Sequence, residues 1–134
     1  MHPINDLCNL VRQTAYDIHL YHGHGHLEKV YENTLVHRLR KQGLMVGQQQ
    51  PVSVLDEDGT VVGEYFTDLL IEGVILVELK AVSTLLQQHA AQLLGYLKST
   101  RTEHGLLMNF GSYKFQIKKY ALSQNPPRSG SLGA

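Results

Sequence analysis

Residues 65–80 read Tyr65-Phe66-Thr67-Asp68-Leu69-Leu70-Ile71-Glu72-Gly73-Val74-Ile75-Leu76-Val77-Glu78-Leu79-Lys80. Two apolar runs flank Glu72-Gly73, a pair that reads as a tight turn between strands. Side chains alternate across a strand, so Glu78 and Lys80 project from one face while Val77 and Leu79 face the other, into apolar packing. The turn folds Asp68 back beside Glu78 and Lys80. Three charges at the edge of so apolar a hairpin need compensation, because unpaired buried charge is costly. An Asp–Lys or Glu–Lys ion pair at a strand end would supply it. So would a divalent cation held by two carboxylates with a lysine beside it, since Mg²⁺ prefers oxygen ligands and keeps several waters. Spacing alone leaves these two readings level.

Outward from this hairpin the periodicity sets the remaining elements. Val52 and Val54 mark a short strand, Asp56-Glu57-Asp58-Gly59 a turn, Val61 to Ile71 a second strand and Val74 to Lys80 a third. Ile4, Leu7, Val11, Ala15 and Ile18 recur at helical steps, with Asn5 or Asp6 as the expected N-cap, and the helix stops at Gly23-His24-Gly25. A second helix carries Leu27, Val30, Tyr31, Thr34, Leu35 and Leu39 on one face and ends at Lys41-Gln42-Gly43. Leu85 to Ser99 is helical again. Gly105 to Phe110 and Tyr113 to Tyr120 read as strands joined by Gly111-Ser112. The order ααβββαββ predicts an α/β protein with a mixed central sheet flanked by helices. Residues 1–122 form the expected single domain. Residues 123–134, Ser-Gln-Asn-Pro-Pro and onward, have no core-forming pattern and read as a flexible C-terminal tail.

Composition narrows the function. The chain has 134 residues, with 12 Lys and Arg against 12 Asp and Glu, so its formal net charge is zero. That argues against a strongly basic coat protein for nucleic acid and against a polybasic membrane binder, though not against a local basic groove. A single cysteine, Cys8, excludes an intrachain disulfide and a cysteine-rich zinc module. No apolar run is long enough to cross a bilayer and no signal peptide is visible, so a cytoplasmic location is expected.

Two further groups carry chemistry. Gln92 and Tyr96 stand at i and i+4 on the third helix, with His89 a turn earlier. Gly25-His26-Leu27-Glu28-Lys29-Val30-Tyr31 opens the second helix, where the dipole favours the Glu28 carboxylate and Tyr31 lies on the apolar face.

Taken together, these residues resemble the PD-(D/E)XK nuclease superfamily, and more closely its small GxxExxY family. Gly25, Glu28 and Tyr31 match the name motif. Asp68 with Glu78-Leu79-Lys80 matches the superfamily signature, with Thr67 in the place of its nominal proline. Gln92 to Tyr96 matches the QxxxY helix of the RecB-type branch. The resemblance spans about residues 10 to 122 and implies a restriction-endonuclease-like core and metal-dependent hydrolysis of phosphodiester bonds in nucleic acid, with DNA the expected substrate. It implies Mg²⁺ or Mn²⁺ on Asp68, Glu78, the Leu79 carbonyl and Glu28. Lys80 would orient or activate the attacking water, and Gln92 would join the catalytic set. Tyr31, Tyr96 and His89 would support the site or touch the nucleic-acid backbone.

The competing reading keeps the fold as an interaction module for nucleic acid or protein, with weak or no catalysis. Zero net charge favours it, or else a nuclease that needs a homodimer or a partner protein for substrate binding. Arg38, Arg40 and Lys41, and Lys114, Lys118 and Lys119, are candidate phosphate contacts. His19, His22, His24 and His26 raise the question of a transition-metal site, but an exposed polar loop is favoured because no cysteine or carboxylate set completes one.

Overall fold

A computed structural model describes residues 2–122; the tail expected over 123–134 lies outside the described residues. The elements run α1 (Ile4–His22), α2 (Glu28–Lys41), β1 (Val46–Leu55), β2 (Val61–Ile71), β3 (Ile75–Lys80), α3 (Gln87–Thr100), β4 (His104–Asn109) and β5 (Gln116–Ala121). This is the order ααβββαββ. The strands form one sheet in the order β1-β2-β3-β4-β5. All neighbours are antiparallel except β3 and β4, which are parallel and joined through α3, so the sheet is mixed.

The strand pleat sorts the core into two layers. Ile75, Val77 and Leu79 of β3 and Leu106 and Met108 of β4 join α1 and α2 residues such as Val11, Ile18, Tyr31 and Leu35. Leu76 and Leu107 point the other way, onto Leu93, Tyr96 and Leu97 of α3. With helices on both faces, β3 is buried along nearly its whole length, which is why it reads as a continuous apolar run rather than an alternating one. Each fully buried Leu or Val in these layers contributes roughly 1.5–3 kcal/mol of transfer free energy.

Several boundaries differ from the sequence reading. The N-cap of α1 is Pro3, without a side-chain cap. Asn5 and Asp6 lie inside the first turn, and Asn5 Oδ1 accepts from Lys119 Nζ. The buried face of α2 is Tyr31, Glu32, Leu35, Val36 and Leu39; Leu27 is the N-cap and 80% exposed, and Val30 is exposed as well. The face is thus rotated toward a glutamate. β1 starts at Val46, earlier than Val52 and Val54 suggest, because Gly47, Gln48, Gln50 and Pro51 pair with β2 despite the polarity of this stretch.

Candidate active site

The site lies where β2 leaves β3. Their ladder pairs Leu69 with Val77, Leu70 with Leu76 and Ile71 with Ile75, and goes no further. At the next position the strands splay, and side chains replace the missing backbone bonds. The Asp68 backbone N–H donates to Glu78 Oε1 at 3.1 Å. The Leu79 N–H donates to Asp68 Oδ2 at 2.7 Å. Both carboxylates are therefore held at the mouth of the fork by the strand that carries the other.

Lys80 is next along β3, and its Nζ lies 3.5 Å from Gln92 Oε1 on α3. Gln92 in turn hydrogen-bonds Tyr96, a buried side chain whose ring packs 5.6 Å from that of Tyr65. His89 caps the same helix, its Nδ1 accepting from the Leu86 N–H at 3.0 Å. Asp68, Glu78, Lys80, Gln92 and Tyr96 thus come together, with His89 tied to the helix start.

From the opposite layer, α2 brings its first turns to the same fork. Glu28 is exposed at the rim, and Tyr31 is fully buried. Tyr31 stacks on Phe110 at 4.7 Å, donates to the Gly23 carbonyl at 2.6 Å and accepts from His26 N–H at 3.1 Å. Its hydroxyl is committed to fastening the loop that leads into α2, so Tyr31 supports the site from beneath.

Sequence reasoning missed Glu32. It is 2% exposed and accepts from Lys29 Nζ at 3.0 Å, Gln48 Nε2 at 2.6 Å and Gln49 Nε2 at 3.1 and 3.2 Å. Gln49 Nε2 also lies 3.3 Å from Asp68 Oδ1. Glu28 and Glu32 stand at i and i+4, and that spacing was the available signal for a shared face.

The electrostatics follow from burial first and from crowding of like charge second. Burial, then the Asp68 charge, pushes the Glu78 carboxyl up to about 8. Asp68 is raised by burial, with Glu32 adding to the effect and the Leu79 N–H opposing it. Glu28 is raised by burial and then by Asp68, partly offset by Lys80. Tyr96 is raised by burial and by Glu78. The carboxylates share one electrostatic site, with a surplus of negative charge that Lys80 alone does not balance.

Such an all-oxygen donor set suits a hard divalent cation. Among the described residues, no three acidic, histidine or cysteine side chains are close enough together to hold an ion by themselves. The oxygens that the fork brings together are those of the Asp68 and Glu78 carboxylates. Two such groups are sufficient for Mg²⁺, which keeps several waters, and Glu28 stands nearby at the rim. The histidine loop likewise holds no metal-binding cluster among the described residues; His22 and His26 meet edge to face at 5.8 Å, and His19 Nε2 on α1 lies 2.9 Å from the Ser112 carbonyl.

A family model described as the PD-(D/E)XK nuclease superfamily matches residues 5–120. The chain belongs to the PD-(D/E)XK nuclease superfamily. Its members generally use divalent metals such as Mg²⁺. The fold agrees: a solved structure of a protein designated SSO0001 superposes with a TM-score of 0.56 at 17% identity, covering 78% of this chain. The match spans 52% of that protein's chain, about half its length. No curated protein matches the sequence. Relative to the superfamily signature, Thr67 replaces the nominal proline; it is fully buried, and its hydroxyl makes no hydrogen bond among the described residues. Among those residues no helix is long and apolar enough to cross a membrane.

Proposed function

We propose that this superfamily member is a Mg²⁺- or Mn²⁺-dependent nuclease of the GxxExxY family and RecB-type branch, hydrolysing phosphodiester bonds with DNA as its substrate. The observation that carries this reading is the exchange of backbone N–H bonds between Asp68 and the Glu78–Leu79 segment beside Lys80. It gathers two carboxylates and an ammonium group at an open strand fork, where a purely structural ion pair would need only one carboxylate.

Asp68, Glu78 and the Leu79 carbonyl would hold the ion, with Glu28 reaching it directly or through water. When bound, the ion supplies Lewis acidity toward the phosphate and activates water at neutral pH. The chain's own groups do the rest. Lys80 presents an ammonium group to the charge that develops on phosphorus-bound oxygens, an electrostatic role of the kind that dominates such catalysis. Gln92 limits where that ammonium can swing, and Tyr96 closes the apolar side of the cleft. His89 orients α3 by capping it, and Tyr31 does the same for α2 through its loop.

Substrate reaches the fork along the exposed side of α2. Asn33, His37, Arg38 and Lys41 line an open groove against α1, and groups of this kind suit a phosphate backbone. Arg40 is exposed too, but its guanidinium donates to the Val46 carbonyl at 2.7 Å, which ties it to β1.

The test compares wild type with Lys80→Ala and Asp68→Asn on single- and double-stranded DNA and RNA, with Mn²⁺ present. Each variant should lose roughly 10²-fold or more in rate while remaining folded. Equal activity in all three proteins would refute the assignment. A wild type that binds Mn²⁺ through Asp68 yet cleaves nothing would mark a non-catalytic binding module or a missing partner.

A further inference from the structure

Among the described residues, three other than glycine hold a positive φ: Gln49 at 54°, Glu72 at 52° and Arg101 at 56°. Two have an ordinary reason. Glu72 sits in the turn between β2 and β3, and Arg101 is the C-cap of α3. Gln49 is inside β1, where the ladder pairs Gln48 with Leu69 and Gln50 with Thr67. It therefore falls opposite Asp68. A left-handed residue with a Cβ in mid-strand is strained, and such strain persists only where the surroundings impose it.

The strain has a visible consequence. In a regular strand, Gln48 and Gln49 would point to opposite faces. Here both side-chain amides reach the same buried carboxylate, that of Glu32. The left-handed turn of the backbone is what brings the second amide round. Once there, Gln49 Nε2 lies between Glu32 and Asp68, within 3.3 Å of both. Glu32 is an anchored partner, fixed also by Lys29 and by Gln48, which itself bonds Asn33.

We propose that Gln49 is a positioning residue for Asp68: its strained backbone places an amide that ties the Asp68 carboxylate to Glu32 and so sets its direction at the strand fork. Asp68 is thereby held on both oxygens, by Gln49 at Oδ1 and by the Leu79 N–H at Oδ2. The consequence for metal binding rests on the reading of Asp68 as a ligand; the positioning itself does not.

The experiment uses Gln49→Gly, which removes the amide and relieves the left-handed backbone, with Glu32→Gln as a second variant that weakens the anchor. Three quantities are measured: the melting temperature, Mn²⁺ affinity by direct titration, and hydrogen exchange of the Leu79 amide in metal-free protein. Gln49→Gly should keep or raise the melting temperature. Its Mn²⁺ affinity should fall about tenfold to a hundredfold, the usual cost of losing a group that orients a ligand. Leu79 exchange should quicken about tenfold, because a freed Asp68 no longer holds that amide. Glu32→Gln should move Mn²⁺ affinity and Leu79 exchange the same way. A Gln49 that merely stabilises β1 would instead lower the melting temperature and leave both other readings unchanged, which overturns the proposal. Should wild type bind no Mn²⁺, the nuclease reading fails on its own, and Leu79 exchange alone decides the role of Gln49.

Discussion

Asp68 gives its backbone N–H to the carboxylate of Glu78, across the gap where β2 and β3 part, and the Leu79 N–H beside Glu78 returns a bond to Asp68. Two acids that repel each other are thus fastened together by the backbone. Burial first, and the Asp68 charge second, raise the Glu78 carboxyl from 4.5 to about 8. The site is built against the stability of the metal-free fold.

The first prediction follows from that elevation. A carboxyl whose folded pKa exceeds its unfolded value binds more protons folded than unfolded, so the fold is favoured at low pH and loses stability as pH rises. For Glu78 the loss runs between 4.5 and about 8. Replacing it by a neutral isostere removes this penalty. Glu78→Gln should therefore raise the melting temperature of metal-free protein at pH 8 by about 5 °C or more. At pH 5 the gain should be small. Thermal unfolding at both pH values checks this, and an equal effect at both would show that Glu78 carries no such penalty.

Metal binding should show the complementary dependence. An ion needs the ionised carboxylate, so near pH 7 its binding displaces the proton from Glu78. Mn²⁺ affinity should rise with pH through the neutral range and level off above about 8, the value to which Glu78 is raised. Calorimetric titration in two buffers of different ionisation enthalpy measures the released proton directly. Proton release that is absent at pH 6.5 would place the ion elsewhere.

Much of this was legible from residues 65–80, because turn, pleat and charge all act over short distances there. Glu78 and Lys80 share a face for the same reason that Val77 and Leu79 share the other, and the structure follows that alternation. Gln49 was not legible, and for Glu32 the sequence offers only its i, i+4 spacing from Glu28. The three glutamines Gln48 to Gln50 lack an apolar period, so β1 was expected only at its valines. The strand character of Gln48 and Gln50 comes from pairing with β2, a long-range contact that local pattern does not encode. The acid buried on α2 likewise depends on those glutamines to satisfy it, so helix periodicity alone favoured Val30 and Thr34 for the inner face.

The segment after Lys80 should be intolerant of added bulk. The Lys80 carbonyl accepts from Phe110 N–H at 2.8 Å, and Asn109 bonds both the N–H and the carbonyl of Val82. Gly111 closes this seam, where a Cβ would lie 2.3 Å from Val82 N and 2.4 Å from the Ala81 carbonyl carbon. Both are backbone atoms, so no side chain can swing aside. Gly111→Ala should cost about 2 kcal/mol or more and displace Lys80 with the connector. Chemical denaturation gives the first quantity. A variant as stable as wild type would mean that the connector shifts freely.

Along the groove beside α2, positive charge rests on Arg38 and Lys41, with the Asp17 carboxylate of α1 lining the same groove. Arg38 also lies 6.0 Å over the Tyr21 ring, which presets its direction at a partly exposed position. If these two side chains contact phosphates, each contributes about 0.9 to the slope of log affinity against log salt on duplex DNA. Arg38→Ala and Lys41→Ala should each lower that slope by about one, uniformly across sequences, and the double variant by about two. Melting temperatures should change little, since Lys41 is exposed. Anisotropy titrations of a labelled duplex at several salt concentrations, in Ca²⁺ to suppress cleavage, measure the slopes. Arg40→Ala is the informative contrast: its guanidinium holds the Val46 carbonyl, so that variant should lose stability and leave the salt slope unchanged. A slope that falls in Arg40→Ala but not in Arg38→Ala or Lys41→Ala would move the nucleic-acid path off this groove.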